Sequence, residues 1–163
     1  MCALRITLGS MLVLLLQACA GDAPPCRVVA GKAYAAEGNA GCLIERDKQM
    51  LVVRHLSTKL GMPAGFGEPG ESAQCTAHRE TWEEAGVPVQ VGKLLWEDPK
   101  NNFFLFECFL ADDRSESAGL DAAEVTAVLW LDPHGIEPSQ WRFPDQWPYV
   151  LEAFGRLSAS NAR

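Results

Sequence analysis

The chain has 163 residues, which is room for one domain of ordinary size and not two. Hydrophobic residues make up 48% and charged residues 21%, so wholesale disorder and low-complexity fibres are excluded. With 14 Lys+Arg against 21 Asp+Glu the formal net charge is −7, which is not the electrostatic footprint of a general nucleic-acid binder, although a metal could neutralise a local acidic patch.

Met1 to Arg5 carries one positive charge, and Ile6 to Leu16 is almost continuously apolar. Eleven residues of helix rise only about 16 Å, roughly half a bilayer core, which is short for a transmembrane span. A basic start, a short apolar stretch and then small residues form the layout of a secretory signal peptide over residues 1–18. The end of this stretch, Leu16-Gln17-Ala18-Cys19, resembles a bacterial lipobox. That resemblance implies cleavage before Cys19, lipid attachment to its sulfur and a membrane-anchored protein on the periplasmic side. Cleavage after Ala20 would instead release a soluble exported protein.

Export would leave Cys26, Cys42, Cys75 and Cys108 in an oxidising compartment. Four cysteines allow three pairings, and the sequence does not choose among them. The Gly/Ala-rich stretch between Cys26 and Cys42 could bring those two together, and Cys108, in an aromatic apolar run, has the setting of a small core residue. No close cysteine or histidine pair has zinc-ligand spacing.

Residues 19–39 read as a tether and N-terminal extension, 40–157 as the domain and 158–163 as a tail. Cys42-Leu43-Ile44 and Met50 to Val53, separated by charged Glu45 to Lys48, predict a hairpin. Leu60 to Gly70 is rich in Gly and Pro and predicts a loop. Ser72 is placed to cap a helix running to Ala85, with Gly86 and Pro88 as its stop. Strands are expected at Val87 to Leu95, Phe103 to Leu110 and Val125 to Leu131. Asp145 to Leu157 has helical rhythm, with Trp147, Val150, Leu151 and Phe154 on one face. Partial alternation of strands and helices predicts a mixed sheet with helices packed against it, an α+β class.

One segment carries chemistry: Gly65, Glu71, Arg79, Glu80, Glu83, Glu84, Gly86 and Val87. Glu80, Glu83 and Glu84 stand at i, i+3 and i+4, so their carboxylates share one helical face. They also lie in the last turns, where the macrodipole disfavours anions. Like charges there cost roughly 0.2–0.5 kcal/mol per pair, and the dipole adds about 0.3–1 kcal/mol. A solvated acidic face does not account for the Gly-rich loop immediately before the helix. Clustered carboxylates beside such a loop point to Mg²⁺, with Mn²⁺ an alternative, acting on a phosphate compound.

These residues resemble the signature of the Nudix hydrolase superfamily, G-x5-E-x7-R-E-U-x-E-E-x-G-U, in which Thr81 at the first bulky position is the one departure. The resemblance implies an α/β/α sandwich with a mixed sheet and a pyrophosphohydrolase acting on a small-molecule diphosphate linked to a group X. By the same resemblance, Glu80, Glu83, Glu84 and the Ala64 carbonyl would be metal ligands. Glu80 or Glu84 would stand near the attacking water, and Arg79 would orient Glu71 or Glu80. Glu124, before the last strand, and Arg54, at a strand end, are the outlying candidates for substrate contact. The alternative reading is a Nudix fold that senses a ligand without turnover.

Overall fold

The computed structural model describes residues 24–111 and 124–161; the signal-peptide and lipid-attachment expectations at residues 1–18 and Cys19 lie outside them. The elements in order are β1 (Asn39–Leu43), β2 (Glu45–Arg46), β3 (Gln49–His55), β4 (Leu60–Gly61), β5 (Ala64–Gly65), α1 (Ala73–Ala85), β6 (Val89–Asp98), β7 (Phe103–Leu110), β8 (Val125–Leu131) and α2 (Trp147–Asn161). The strands form two four-stranded sheets. One runs β5-β1-β7-β6; in the other β2-β3-β4 is extended by β8 on β3. Among the named strands of the described residues only β1 and β7 pair in parallel, so the architecture is mixed.

Alternation along the strands sorts the core into two layers. Cys42 and Ile44, with Leu51, Val53, Phe104 and Phe106, pack against Ala73, Ala77 and Ala85 of α1. Their neighbours Leu43, Met50, Val52, Phe103 and Leu105 face the other way, against Trp147, Val150, Ala153, Phe154 and Leu157 of α2. Both strand faces are apolar because both are covered, which gives the expected helix–sheet–helix sandwich. The hairpin that forms is β2–β3, closed by Asp47 (φ 52°) and Lys48 (φ 61°) in the left-handed region that tight hairpin turns require; Cys42 and Leu43, expected as its first strand, lie instead in β1 and pair with β7 of the other sheet. Within the expected loop of 60–70, two short strands form because Leu60 and Gly61 pair with β3, and Ala64 and Gly65 with β1.

Of the three pairings the sequence left open, the disulfides formed are Cys26–Cys75 and Cys42–Cys108, and no Cys26–Cys42 bridge is made. Tertiary pairing explains both. Parallel pairing of β1 with β7 sets Cys42 beside Cys108 on the face toward α1. The segment read as a tether instead joins the edge of β6. The Val29 N–H donates to the Val91 carbonyl, and the Val91 N–H to the Arg27 carbonyl, at 2.8 Å each. Gln74 of α1 fastens the same segment, accepting from the Tyr34 N–H (2.8 Å) and donating to the carbonyls of Lys32 (2.8 Å) and Gly92 (2.9 Å). At the other end, α2 continues to Asn161, so 158–161 extends the helix instead of forming a tail.

Candidate active site

Helix α1 begins where the sequence places it. The Ser72 hydroxyl accepts from the Cys75 N–H (3.3 Å), and Gly86 ends the helix at φ 67°, its N–H donating to the Trp82 carbonyl (2.9 Å). Thr81, the departure from the signature, is fully buried, and its hydroxyl donates to the Ala77 carbonyl at 2.7 Å. The polar group in the packed face is thereby satisfied within the helix.

The carboxylate face is organised around Arg79. Its Nη1 donates to Glu80 Oε1 (2.7 Å) and Glu83 Oε2 (2.9 Å). Its Nε and Nη2 donate to the two oxygens of Glu71 (3.2 and 3.0 Å), and Nη2 also reaches the Phe66 carbonyl (2.8 Å). One guanidinium thus ties the helix to the loop ahead of it. Burial acts to raise the pKa of Glu71, but hydrogen bonds from Arg79, the Glu68 N–H and Thr76 outweigh it and hold that carboxyl below its ordinary value. Burial likewise opposes the charge on Arg79, yet Glu71 and Glu80 raise its pKa on balance.

Glu80 and Glu84 differ from Glu71. Burial raises the pKa of Glu80; Arg79 offsets only part of this, and Glu83 and Glu124 add repulsion. Arg79 is stabilised while its partner Glu80 is not, because the guanidinium sums three carboxylates whereas Glu80 shares one cation. Glu84 is 2% exposed, and burial pushes it up to about 8, despite a 2.8 Å hydrogen bond from the Ala64 N–H and the field of Arg142. Repulsion from Glu80 and Glu124 contributes to that rise. Gly65 belongs to the same junction: a Cβ there would collide with the Glu80 carboxylate, so only glycine lets the loop lie against the helix.

Among the described residues no three His, Cys, Asp or Glu side chains converge to enclose an ion. Arg79 draws Glu80 and Glu83 to itself, and Glu84 is held by the Ala64 amide. The donor set nevertheless suits a hard divalent cation. It consists of carboxylate oxygens whose negative charge the protein leaves under-neutralised at Glu80 and Glu84.

A cleft of about 930 Å³ adjoins this cluster. Ala64 and Gly65 line it on the carboxylate side; Trp96, Phe143, Tyr149 and Arg142 line it toward α2. Trp96 and Tyr149 stack with centroids 4.9 Å apart and planes within 7°. The aromatic residues near the C-terminus therefore divide: Trp141 and Trp147 are buried, whereas Phe143 and Tyr149 are about half exposed beside the cleft.

Of the outlying candidates, Glu124 contributes to the field at Glu80 and Glu84, and its carbonyl accepts from the Leu56 N–H (3.1 Å). Arg54 is not in the cleft. It lines a separate shallow pocket with Thr58, Lys59, Leu60, Ser139 and Gln140, and its neighbour His55 faces the cleft instead. Sequence reading passed over His55 and Arg142, which lie 87 positions apart and meet at 3.3 Å. No spacing rule links such residues.

A model of the NUDIX domain family matches residues 35–151, and the chain belongs to the Nudix family. Among curated proteins it is 45% identical over 97 residues to the NAD-capped RNA hydrolase NudC of Chromobacterium violaceum, aligning 55% of this chain and 36% of that protein. It is 33% identical over 100 residues to the protein of the same name from Mannheimia succiniciproducens, aligning 54% of this chain and 36% of that one. The chain thus spans little more than a third of the length of these relatives. Among solved structures it is similar to a Nudix hydrolase from Nitrosomonas europaea (TM-score 0.58, 23% identity, 76% of this chain and 73% of that one). It is also similar to a UDP-X diphosphatase (TM-score 0.58, 20% identity, 76% of this chain and 66% of that one). These structural likenesses speak to the fold.

Proposed function

We propose that this protein is an exported, Mg²⁺-dependent pyrophosphohydrolase that cleaves the diphosphate of a small molecule bearing a group X. The observation that carries the reading is the under-neutralised pair Glu80 and Glu84, buried at the end of α1 beside an aromatic cleft. A helix selected for stability alone would not bury uncompensated carboxylates at its negative pole.

Glu80, Glu83, Glu84 and the Ala64 carbonyl are the groups that would hold the cation. When bound, it supplies charge neutralisation and a lowered pKa for coordinated water. Arg79 keeps Glu80 and Glu83 on one face and ties both to the Glu71 loop, so the carboxylates arrive pre-positioned. A water oxygen bonds to one phosphorus, the bridging P–O bond breaks and the leaving phosphate takes the electron pair. Glu84, or Glu80 beside it, accepts the proton from that water. Group X occupies the side of the cleft lined by Trp96, Phe143 and Tyr149.

Export is supported by the pairing of Cys26, Cys42, Cys75 and Cys108 in two disulfides, since such bridges persist outside a reducing cytoplasm. The layout of residues 1–18 and the lipobox-like Leu16 to Cys19 support a position on the periplasmic side of a membrane, with anchoring through Cys19. A panel of nucleotide-sugars, dinucleotides and isoprenoid diphosphates, assayed with Mg²⁺ and with EDTA, tests the activity. Metal-dependent release of phosphate-bearing products is expected; tight binding without turnover would favour the sensor. The mass of the mature N-terminus tests the address, with a lipidated Cys19 expected.

A further inference from the structure

We propose that Arg142 receives a phosphate of the substrate in the cleft, and that His55 is the residue that positions it. This rests on the pyrophosphohydrolase reading above and adds to it a phosphate-binding residue on the opposite wall from the carboxylates.

The backbone at Arg142 is anchored independently of its side chain. Trp141, 1% exposed, bridges Leu60 of β4, and the Arg142 N–H donates to the Leu60 carbonyl at 2.7 Å. The side chain therefore starts from a backbone held against Leu60 of β4. It lies 5.3 Å from the centroid of the Phe143 ring, and its charge is felt at Glu84.

What distinguishes Arg142 is the partner that holds it. Its Nη1 lies 3.3 Å from Nδ1 of His55, and since arginine can only donate, Nδ1 is the acceptor. His55 is buried, and its Nε2 edge lies so close over Gly61 that a Cβ there would stand 2.8 Å from it. The imidazole is thus gripped between β4 and the arginine. Burial, reinforced by Arg142, lowers its pKa to about 4, so it is neutral at physiological pH. A neutral acceptor orients a guanidinium without cancelling its charge, whereas a carboxylate in that place would consume it.

The other arginines considered for the site differ, and Lys100 is a second cation in the cleft wall. Arg79 is surrounded by Glu71, Glu80 and Glu83. Arg54 lines another pocket. Among the described residues Arg142 makes no ion pair with a carboxylate, and it lines the cleft that Ala64 and Gly65 share. An oriented, unneutralised planar guanidinium is suited to bidentate contact with phosphoryl oxygens.

The test uses the whole protein with methylenediphosphonate, a non-hydrolysable diphosphate, as calorimetric probe in the presence of Ca²⁺. Steady-state kinetics on the best substrate of the panel accompany it. Arg142→Met should weaken probe binding about 10- to 100-fold and raise KM, with kcat within about threefold and an unchanged melting temperature. Arg142→Lys should recover part of the loss. His55→Leu should raise KM about 3- to 10-fold, and His55→Asn, whose oxygen can take the place of Nδ1, should restore most of it. Lys59→Met, in the separate pocket, should bind the probe as wild type does. Wild-type affinity in Arg142→Met, or no probe binding by wild type, overturns the proposal. If Glu84→Gln abolishes turnover while Arg142→Met leaves KM unchanged, this inference fails alone. Full metal-dependent turnover in Glu84→Gln would defeat the underlying reading instead.

Discussion

The two faces of the strand layer bury similar apolar side chains but treat charge in opposite ways. On the α1 face a disulfide-stapled helix and the loop before it bring together four glutamates and one arginine, and only part of that charge is matched. On the α2 face the core is aromatic and aliphatic, and the cleft at its edge is lined by rings, by Arg142 and Lys100, and by the acids Glu97, Asp98 and Asp145. The cation of the α1 face is shared among three carboxylates, whereas Arg142 makes no ion pair among the described residues. The two faces meet where Ala64 and Gly65 lie between Glu84 and the cleft.

The largest expected effect is on the α1 face. Glu84→Gln should lower kcat by about 10²- to 10⁴-fold, measured under saturating Mg²⁺, while circular dichroism stays native. Arg79→Met should come next, since it strips one cation from three carboxylates. A loss of about 3–5 kcal/mol in urea unfolding is expected, and Mg²⁺ should recover part of it. A loss below 1 kcal/mol would show that the web does not hold the loop to the helix.

Removing a disulfide tests how far the α1 face depends on covalent support. The bridges span separations of 49 and 66 residues. Each is worth about 4 kcal/mol in the chain-entropy model, so Cys26→Ala/Cys75→Ala should lower the urea midpoint strongly. If that double variant keeps wild-type stability, the N-terminal segment is held by Gln74 and the β6 edge alone.

A pH titration of stability separates the faces by sign. Glu84, raised from 4.5 to about 8, makes the native state bind more protons than the unfolded one across that window, so stability falls as pH rises through it. His55, lowered from 6.5 to about 4, acts in the opposite sense, and its contribution is lost as pH falls through that range. The two overlap below pH 6.5. In EDTA the clean interval is therefore pH 6.5 to 8, where the urea midpoint should decline with pH, and Glu84→Gln should flatten the decline. The smallest effect belongs to the α2 face: Tyr149→Ala loses one stacked pair, about 0.5–1.5 kcal/mol, read as a modest rise in KM.

Much of the acidic face was legible because it is local. Glu80, Glu83 and Glu84 share a helical face by period alone, and Ser72 and Gly86 bound that helix by their capping chemistry. The role of Gly65 was legible only as a motif position; the reason, contact with Glu80, required the fold. Arg54 was a candidate because it ends a strand before a Gly-rich loop. The structure separates it from its neighbour: a β-bulge breaks the register between Arg54 and His55, and Arg54 lines the separate pocket while His55 lines the cleft.

By itself the sequence determined what depends on neighbours in the chain: the helix and its caps, most strand positions, the acidic face and its kinship to a hydrolase signature. Tertiary structure decided what depends on residues distant in the chain. The parallel pairing of β1 with β7 joined Cys42 to Cys108, and docking of the N-terminal segment on β6 carried Cys26 to Cys75. Packing of the chain before α2 on β4 brought Arg142 to His55. Local periodicity encodes which face a side chain occupies, but the neighbour it meets there is set by which strands pair and which layers cover them.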